Sequence, residues 1–396
     1  MTRFDFTPST ASDAGFATEP LQELRLFLQT VVGNGNLPGA VILLARGNKL
    51  VLHEAIGQSD IDQPTPLRTD AIFRLYSMTK PFTAVAMLLL YEEGKWRFDD
   101  PLSKHLPEFK GLTQQAGSLA WREPVLCDLF THSSGHGLGH TMEEIMATVS
   151  KIDTFGASSL TDLIGRYAQV PLRYEPGTRF EYSIAMDLQA SIIERITGLR
   201  YDCFLVERVF GPLGMTDTGF ALTHAQNARL VPGYAMDAET QRLRPGDALE
   251  MQEITFPLGG SSFRSTAIDY ARFARMLLNR GSLGDTSILK PESVDLMLTN
   301  MLSNDFLAND YNTLHYVVGG GNGHGMNGMV CIDPAKAGRP VGEGTYEWAG
   351  AHGTWFWADP ENDIVFVGMT HRAMPHPEIA PLSILSQDLV YRAFRN

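Results

Sequence analysis

Apolar residues along the chain fall into three stretches with different periods. After a first twenty residues that read as a loose arm, "LQELRLFLQTVVG" places Leu21, Leu24, Leu26 and Phe27 at helical spacing on one side. "GAVILLARGNKLVLHEAIG" then gives two β-rich runs flanking Arg46-Gly47-Asn48-Lys49, a hairpin signature. From Ser77 to about Asn300 the period is mostly that of helices. "TDLIGRYAQV", "DLQASIIERITG", "YDCFLVERVFGPLG" and "TAIDYARFARMLLNRG" carry apolar positions three and four apart, and several end at glycine. Aromatic and β-branched runs return in "GTYEWAGAHGTWFWADPENDIVFVGMTH", split by the turn Asp359-Pro360-Glu361-Asn362-Asp363. "SILSQDLVYRAF" predicts a closing helix.

Strands at both ends around a helical middle predict an α+β fold. One antiparallel sheet is built from both chain ends, flanked by helices, and packed against a mostly helical region. The expected division is a discontinuous sheet domain, residues 1–74 and 310–396, and a helical region, residues 75–309, with a cleft between them.

Composition narrows the function classes. The 396 residues are 44% hydrophobic and 19% charged, as in ordinary globular proteins. A formal charge of −13 without a Lys/Arg cluster argues against a nucleic-acid partner. The longest apolar run, Phe82 to Leu90, is shorter than the ~20 residues a bilayer requires, which argues against a membrane role. "MTRFDFTPSTASDAGF" has Asp and Pro where a signal peptide would carry an apolar core, so the expectation is a cytoplasmic protein. Cys127, Cys203 and Cys331 are scattered, without metal-ligand spacing or an even disulfide framework, and read as reduced thiols.

Candidate chemistry begins in "FRLYSMTKPFTAVAMLLLYEEG". Ser77 and Lys80 lie one helical turn apart on one face. Pro81 is tolerated only near a helix start, which puts Ser77 at or just inside the N-terminus. Unpaired N–H groups and the helix dipole favour developing negative charge there. A serine so placed can attack a carbonyl while its own N–H holds the oxyanion. Burial beside an apolar helix disfavours a charged amine, which suits a proton acceptor. The plainer alternative is an N-cap serine beside a solvated lysine.

Two further segments have the same double character. In "YEPGTRFEYSIAMDLQASIIERITG", Tyr182 and Ser183 sit on a loop or short turn before a helix. Tyr182 can serve as base and then acid toward Ser77, or simply pack at an interface. In "EWAGAHGTWFWADP", Ala349, Gly350, Ala351 and Gly353 let a substrate lie against the strand backbone, or let the strand pack tightly on a helix.

As a set, "SMTK", "YSI" and "WAG", in this order, resemble the serine β-lactamase and penicillin-binding-protein superfamily. The likeness is greatest to class C β-lactamases and to the β-lactamase-like carboxylesterases called family VIII. Matching context, including "LCDLFTHSSGHG", "PLGMTDTGF" and "GGSSFRSTAIDYARFARMLLNRG", extends roughly from Pro38 to Val367. The resemblance implies a β-lactamase/transpeptidase-like fold with Ser77 as acylated nucleophile and Lys80 and Tyr182 sharing its proton. It also implies an oxyanion hole from the backbone N–H groups of Ser77 and Ala351.

Two departures bear on substrate. Class C β-lactamases have Tyr-x-Asn where this chain has Tyr182-Ser183-Ile184, and Lys-Thr-Gly where it has Trp348-Ala349-Gly350. Both favour a neutral acyl ester over a β-lactam. His352-Gly353-Thr354 is a shifted alternative for the second motif. Substrate contacts are expected from Trp348, Ala349, Gly350, Ser183, His352 and His136. The loop "THSSGHGLGH" that carries His136 has three histidines but no clustered acidic ligands, so it is read as pocket lining rather than a metal site. Gly259 to Ser262 reads as a packing turn near the pocket without a catalytic role.

The expected function is therefore a serine carboxylesterase acting on small-molecule esters, of short chain, through an acyl-serine. It requires no metal or cofactor, and acyl transfer to an alcohol or amine is an extension of it. Rivals are a β-lactamase or D-alanyl-D-alanine peptidase, an amide hydrolase, and a non-catalytic binding protein on the same fold. The oligomeric state is left open.

Overall fold

Val41, Leu43 and Ala45 alternate with Ala40, Ile42 and Leu44, and all six are buried. Successive side chains of a strand point to opposite faces, so this strand has both faces covered. The computed structural model describes residues 4–394 apart from 116, 118, 140–141, 247–253, 309–317 and 374–379.

The main sheet contains, in chain order, β1 (Gly39–Arg46), β2 (Lys49–Asp60), β3 (Asn322–His324), β4 (Met329–Cys331), β5 (Tyr346–Gly350), β6 (Thr354–Asp359) and β7 (Ile364–Thr370). The spatial order of these seven is β2-β1-β7-β6-β5-β4-β3, each pair antiparallel, and two short strands complete the sheet on β2, Thr7–Pro8 in parallel and Thr65–Pro66 antiparallel. The join between the two chain ends is β1 against β7. β1 and β2 meet across Gly47-Asn48, where Gly47 takes φ 56°, the left-handed region that tight hairpins require. The turn from β6 to β7 is held by Asp359, whose Oδ1 accepts from the N–H groups of Glu361 and Asn362 at 3.0 Å each.

Helices cover both faces. They are α1 (Thr18–Gly33), α2 (Lys80–Glu92), α3 (Ala185–Thr197), α4 (Ala267–Leu278) and α5 (Ala380–Ala393), with shorter ones between. On the outer face, Ile42, Leu44, Trp355, Trp357 and Phe366 cluster with Leu21, Leu24 and Leu28 of α1 and with Leu389 and Val390 of α5. Leu26, expected on the buried side of α1, is 60% exposed. Two residues beyond Leu24 turns it about 200° away, whereas Leu28 completes the stripe. On the inner face, Val41, Leu43, Phe356 and Val367 meet Tyr270, Phe273, Ala274 and Leu277 of α4. Beyond α4, every residue of α2 from Phe82 to Leu90 is buried.

Small two-stranded ribbons also form, Tyr234–Met236 with Leu243–Pro245 within the central segment and Phe73–Arg74, just ahead of it, with Arg264–Ser265. We propose the two-part division on the continuity of the sheet. Helix α4 joins the sheet layer from within the central segment, and the boundary at 309/310 falls outside the described residues.

A buried amide pair ties these layers together. Gln189 of α3 and Asn327 exchange hydrogen bonds at 3.0 and 2.8 Å, and Asn327 Nδ2 also donates to the Lys80 carbonyl at 3.1 Å. Asn327 has φ 59°, which asparagine tolerates better than alanine does. Asn327→Ala strands the Gln189 amide in the core and should lower unfolding free energy by roughly 2–4 kcal/mol, read by urea denaturation. Among the described residues no helix is long and apolar enough to cross a membrane. The three cysteines are free thiols.

Candidate active site

The chain reaches Ser77 through a guided turn. Phe73 and Arg74 pair with Ser265 and Arg264, and the Leu75 N–H donates to the Phe263 carbonyl at 2.9 Å. Tyr76 then takes φ 46°, a backbone state that costs a bulky residue about 1–3 kcal/mol. Its ring is stacked on His352 at 4.4 Å and 16°. Residues Tyr76–Thr79 form a 3-10 turn, and the α-helix proper starts at Lys80, so Ser77 lies just ahead of α2 rather than at its first position. Pro81 lacks the N–H that would bond the Ser77 carbonyl in an α-helix, and the Lys80 N–H takes that carbonyl instead.

Three side chains converge here. Ser77 Oγ lies 2.7 Å from Tyr182 Oη and 3.0 Å from Lys80 Nζ. Lys80 Nζ also donates to the Gly260 carbonyl at 2.9 Å and stands 4.7 Å over the Tyr182 ring. Lys80 is 4% exposed. Lys80 donates to the Ser77 oxygen, and the Ser77 and Tyr182 hydroxyls share a hydrogen bond in which either oxygen can donate. A nucleophile with a proton acceptor within reach, itself ordered by a third group, can form an acyl intermediate.

Tyr182 is ordered from several sides. Its carbonyl accepts from the Leu138 N–H at 3.0 Å. The His132 ring stacks on it at 4.7 Å and 24°, and Trp348 runs parallel to it at 6.3 Å and 7°. His132 Nδ1 accepts the Ser183 N–H at 3.0 Å and meets Ser183 Oγ at 2.9 Å, so its ring proton belongs on Nε2. Burial, then His324 and Lys80, hold His132 well below the usual histidine range. His324 donates from Nδ1 to the Gly325 carbonyl at 2.8 Å, and burial pushes it down to about 4. Both rings are thus neutral beside the Lys80 cation.

The other expected residues have varied positions. His136 is buried against Phe109 at 5.3 Å and Ser134 at 3.2 Å. It lines a small cavity with Gly137, Leu138, Tyr167 and Ile184. His132, not His136, is the histidine of this loop that touches Tyr182 and Ser183, and His140 lies outside the described residues. The Ser183 hydroxyl is engaged with His132 and with the Ala185 N–H at 3.3 Å, which turns it inward. The Ala349 side chain packs with the outer-face cluster. A Cβ on Gly350 would stand 2.1 Å from the Leu75 carbonyl, so its bare α-carbon brings β5 against the turn that presents Ser77. β4 pairs with β5 only at Tyr346 and Glu347, and the edge from Trp348 to Gly350 runs on beyond it. Ala351 follows as an exposed turn residue, and His352 is buried behind Tyr76.

Three participants were not singled out in the sequence. They are His132, the Gly260 carbonyl and Asp187, whose Oδ1 accepts the Gly260 N–H at 3.1 Å. The signal for Gly260 was the Gly259-Gly260 pair, which reads as packing alone. A Cβ on Gly259 would indeed fall 1.9 Å from the Met186 carbonyl, but its neighbour's carbonyl belongs to the site. Among the described residues no cluster of His, Cys, Asp or Glu could hold a metal ion.

The Beta-lactamase family model matches residues 24–388. Protein Rv1367c of Mycobacterium tuberculosis is 37% identical over 355 residues, covering 86% of this chain and 87% of that protein. Esterase EstB of Burkholderia gladioli is 30% identical over 382 residues, covering 90% of this chain and 91% of the esterase. The solved structure of EstCE1, a hydrolase with promiscuous acyltransferase activity, shares the fold with a TM-score of 0.80 at 24% identity, over 94% of this chain and 99% of that one. By a family model that spans nearly the whole chain and by relatives matched along most of their length, the protein belongs to the beta-lactamase family.

Proposed function

We propose that this protein is a serine carboxylesterase that hydrolyses short-chain, neutral carboxylic esters through an acyl-Ser77 intermediate. The observation that carries the reading is the contact of Ser77 Oγ with both Tyr182 Oη and Lys80 Nζ, at 2.7 and 3.0 Å. Ser77 Oγ bonds to the ester carbonyl carbon, whose C=O bond opens to an oxyanion, as the Ser77 proton passes to Tyr182 Oη acting as a phenolate beside the Lys80 ammonium. The backbone N–H groups of Ser77 and Ala351 hold the oxyanion, a role in which one donor is worth about 10²–10³ in rate. Collapse breaks the bond to the alcohol oxygen, which leaves with the proton from Tyr182. Water then attacks the acyl-serine with Tyr182 as base, the acyl–Oγ bond breaks as Tyr182 returns the proton to Ser77 Oγ, and an alcohol or amine in place of water gives acyl transfer.

The preference for a neutral ester rests on three side chains. Ile184 stands where class C β-lactamases carry an amide, and it is 8% exposed in an apolar surround. Trp348 stands where they carry a cation, stacked along Tyr182. Ser183, between Tyr182 and Ile184, is held by His132. Turnover of p-nitrophenyl acetate or butyrate should exceed that of a chromogenic cephalosporin by at least ~10²-fold, in keeping with loss of polar recognition groups. Efficient cephalosporin turnover would reverse the assignment. The substrate is a small molecule, and the free thiols suit a reducing compartment, so we place the enzyme in the cytoplasm.

A further inference from the structure

Asp187 is a buried carboxyl for which the steps above have no use. It sits in the first turn of α3, five residues after Tyr182. Its Oδ1 accepts the Gly260 N–H at 3.1 Å, and the carbonyl of the same glycine accepts from Lys80 Nζ at 2.9 Å. A Cβ on residue 260 would stand 3.4 Å from Lys80 Nζ and 3.6 Å from Asp187 Oδ1. Carboxylate and ammonium therefore face each other across a bare α-carbon.

The other groups acting on Asp187 are uncharged. They are the N–H of Gly259 from the same turn, and the hydroxyl of Tyr167 from the helix Leu160–Tyr167. Tyr201, from the helix Tyr201–Leu205, lies near enough to feel its charge. Lys80, from α2, is the cation among them. Burial raises Asp187 to about 6, with Lys80 pulling the other way. For an acid raised in the folded state, the stability contribution is complete below its ordinary value and is lost as pH rises through 6. The folded chain thus keeps a carboxylate here at a cost to stability, beside the cation of its site.

We propose that Asp187 is a positioning residue for the esterase reaction, fixing Lys80 as a cation against Ser77 through Gly260, so that the Ser77 proton goes to Tyr182. The inference rests on the esterase reading, and labelling of Ser77 by a fluorophosphonate separates the two.

Asp187→Asn keeps shape and hydrogen-bond acceptor while removing the charge. It should fold with a Tm at pH 8 equal to or above that of the parent, because the costly charge is gone. Its kcat/KM for p-nitrophenyl butyrate at pH 7.5 should fall about 10–100-fold, the equivalent of one to two pKa units of lost interaction. Fluorophosphonate labelling should slow in parallel. The parent's kcat/KM should decline below about pH 6, and the variant should lack that limb. The buried histidines His132, His136 and His324 are all pushed well below that pH and do not supply it.

Unchanged kcat/KM and labelling across the pH range would overturn the proposal while leaving the esterase intact. A pH-independent loss with a lowered Tm would overturn it too, as the sign of a structural role alone. If Asp187→Asn is insoluble, Gly260→Ala, which puts a methyl between the two groups, should show the same loss of labelling, and full labelling would overturn the proposal. A folded parent that neither labels nor turns over esters would overturn the esterase reading and this inference with it.

Discussion

Ser77→Ala should abolish ester turnover, with kcat falling at least ~10⁴-fold, while the fold stays intact. The substitution removes one oxygen, the one that contacts both Tyr182 Oη and Lys80 Nζ. No other hydroxyl can take its place at the turn, because Tyr76 in its left-handed conformation fixes which residue is presented. Lys80 retains the Gly260 carbonyl, and Tyr182 retains its stacking on His132. Stability should therefore change by no more than about 1 kcal/mol, as for a single partly buried hydroxyl. Urea denaturation alongside turnover separates the two effects. Residual turnover above a tenth of the parent's would remove Ser77 from the mechanism.

Tyr182→Phe should lower kcat by about 10²–10⁴-fold, the range for losing a positioned general base and acid, with KM nearly unchanged. The phenyl ring keeps the stack on His132, the parallel Trp348 and the cation above it. Only the hydroxyl proposed to receive the Ser77 proton is lost. Near-normal turnover would show that Lys80 takes the proton directly. Those two results also distinguish the arrangement from that of a non-catalytic binding protein, in which neither change would matter.

The main elements of the fold were legible because both covered sheet faces leave a local pattern. "GAVILLAR" is apolar at every position up to Arg46, and the turn residues Gly47-Asn48 mark the hairpin. The site was legible where its residues are close in sequence or share a motif, as Ser77 and Lys80 do. It was less legible where a side chain acts across the chain. Asp187 in the first turn of a helix reads as a surface residue favoured by the dipole, and only the arrival of Gly260 shows that it is buried beside Lys80. His132 and His136 are indistinguishable as residue types in one loop, and the left-handed backbone of His132 at φ 52° sets it apart. The start of α2 was misplaced by three residues because a 3-10 turn and an α-helix share the same apolar pattern. Leu26 was misassigned for a related reason, since four apolar residues crowd one short stretch and only three can share the stripe.

The central claim is that Ser77 is the activated nucleophile. Its most direct measurement is fluorophosphonate labelling of the folded protein, followed by peptide mapping by mass spectrometry. A single phosphonyl group on the peptide containing Ser77, absent from Ser77→Ala, is the expected result. Folded protein that stays unlabelled, or that carries the label on another residue, would contradict the account.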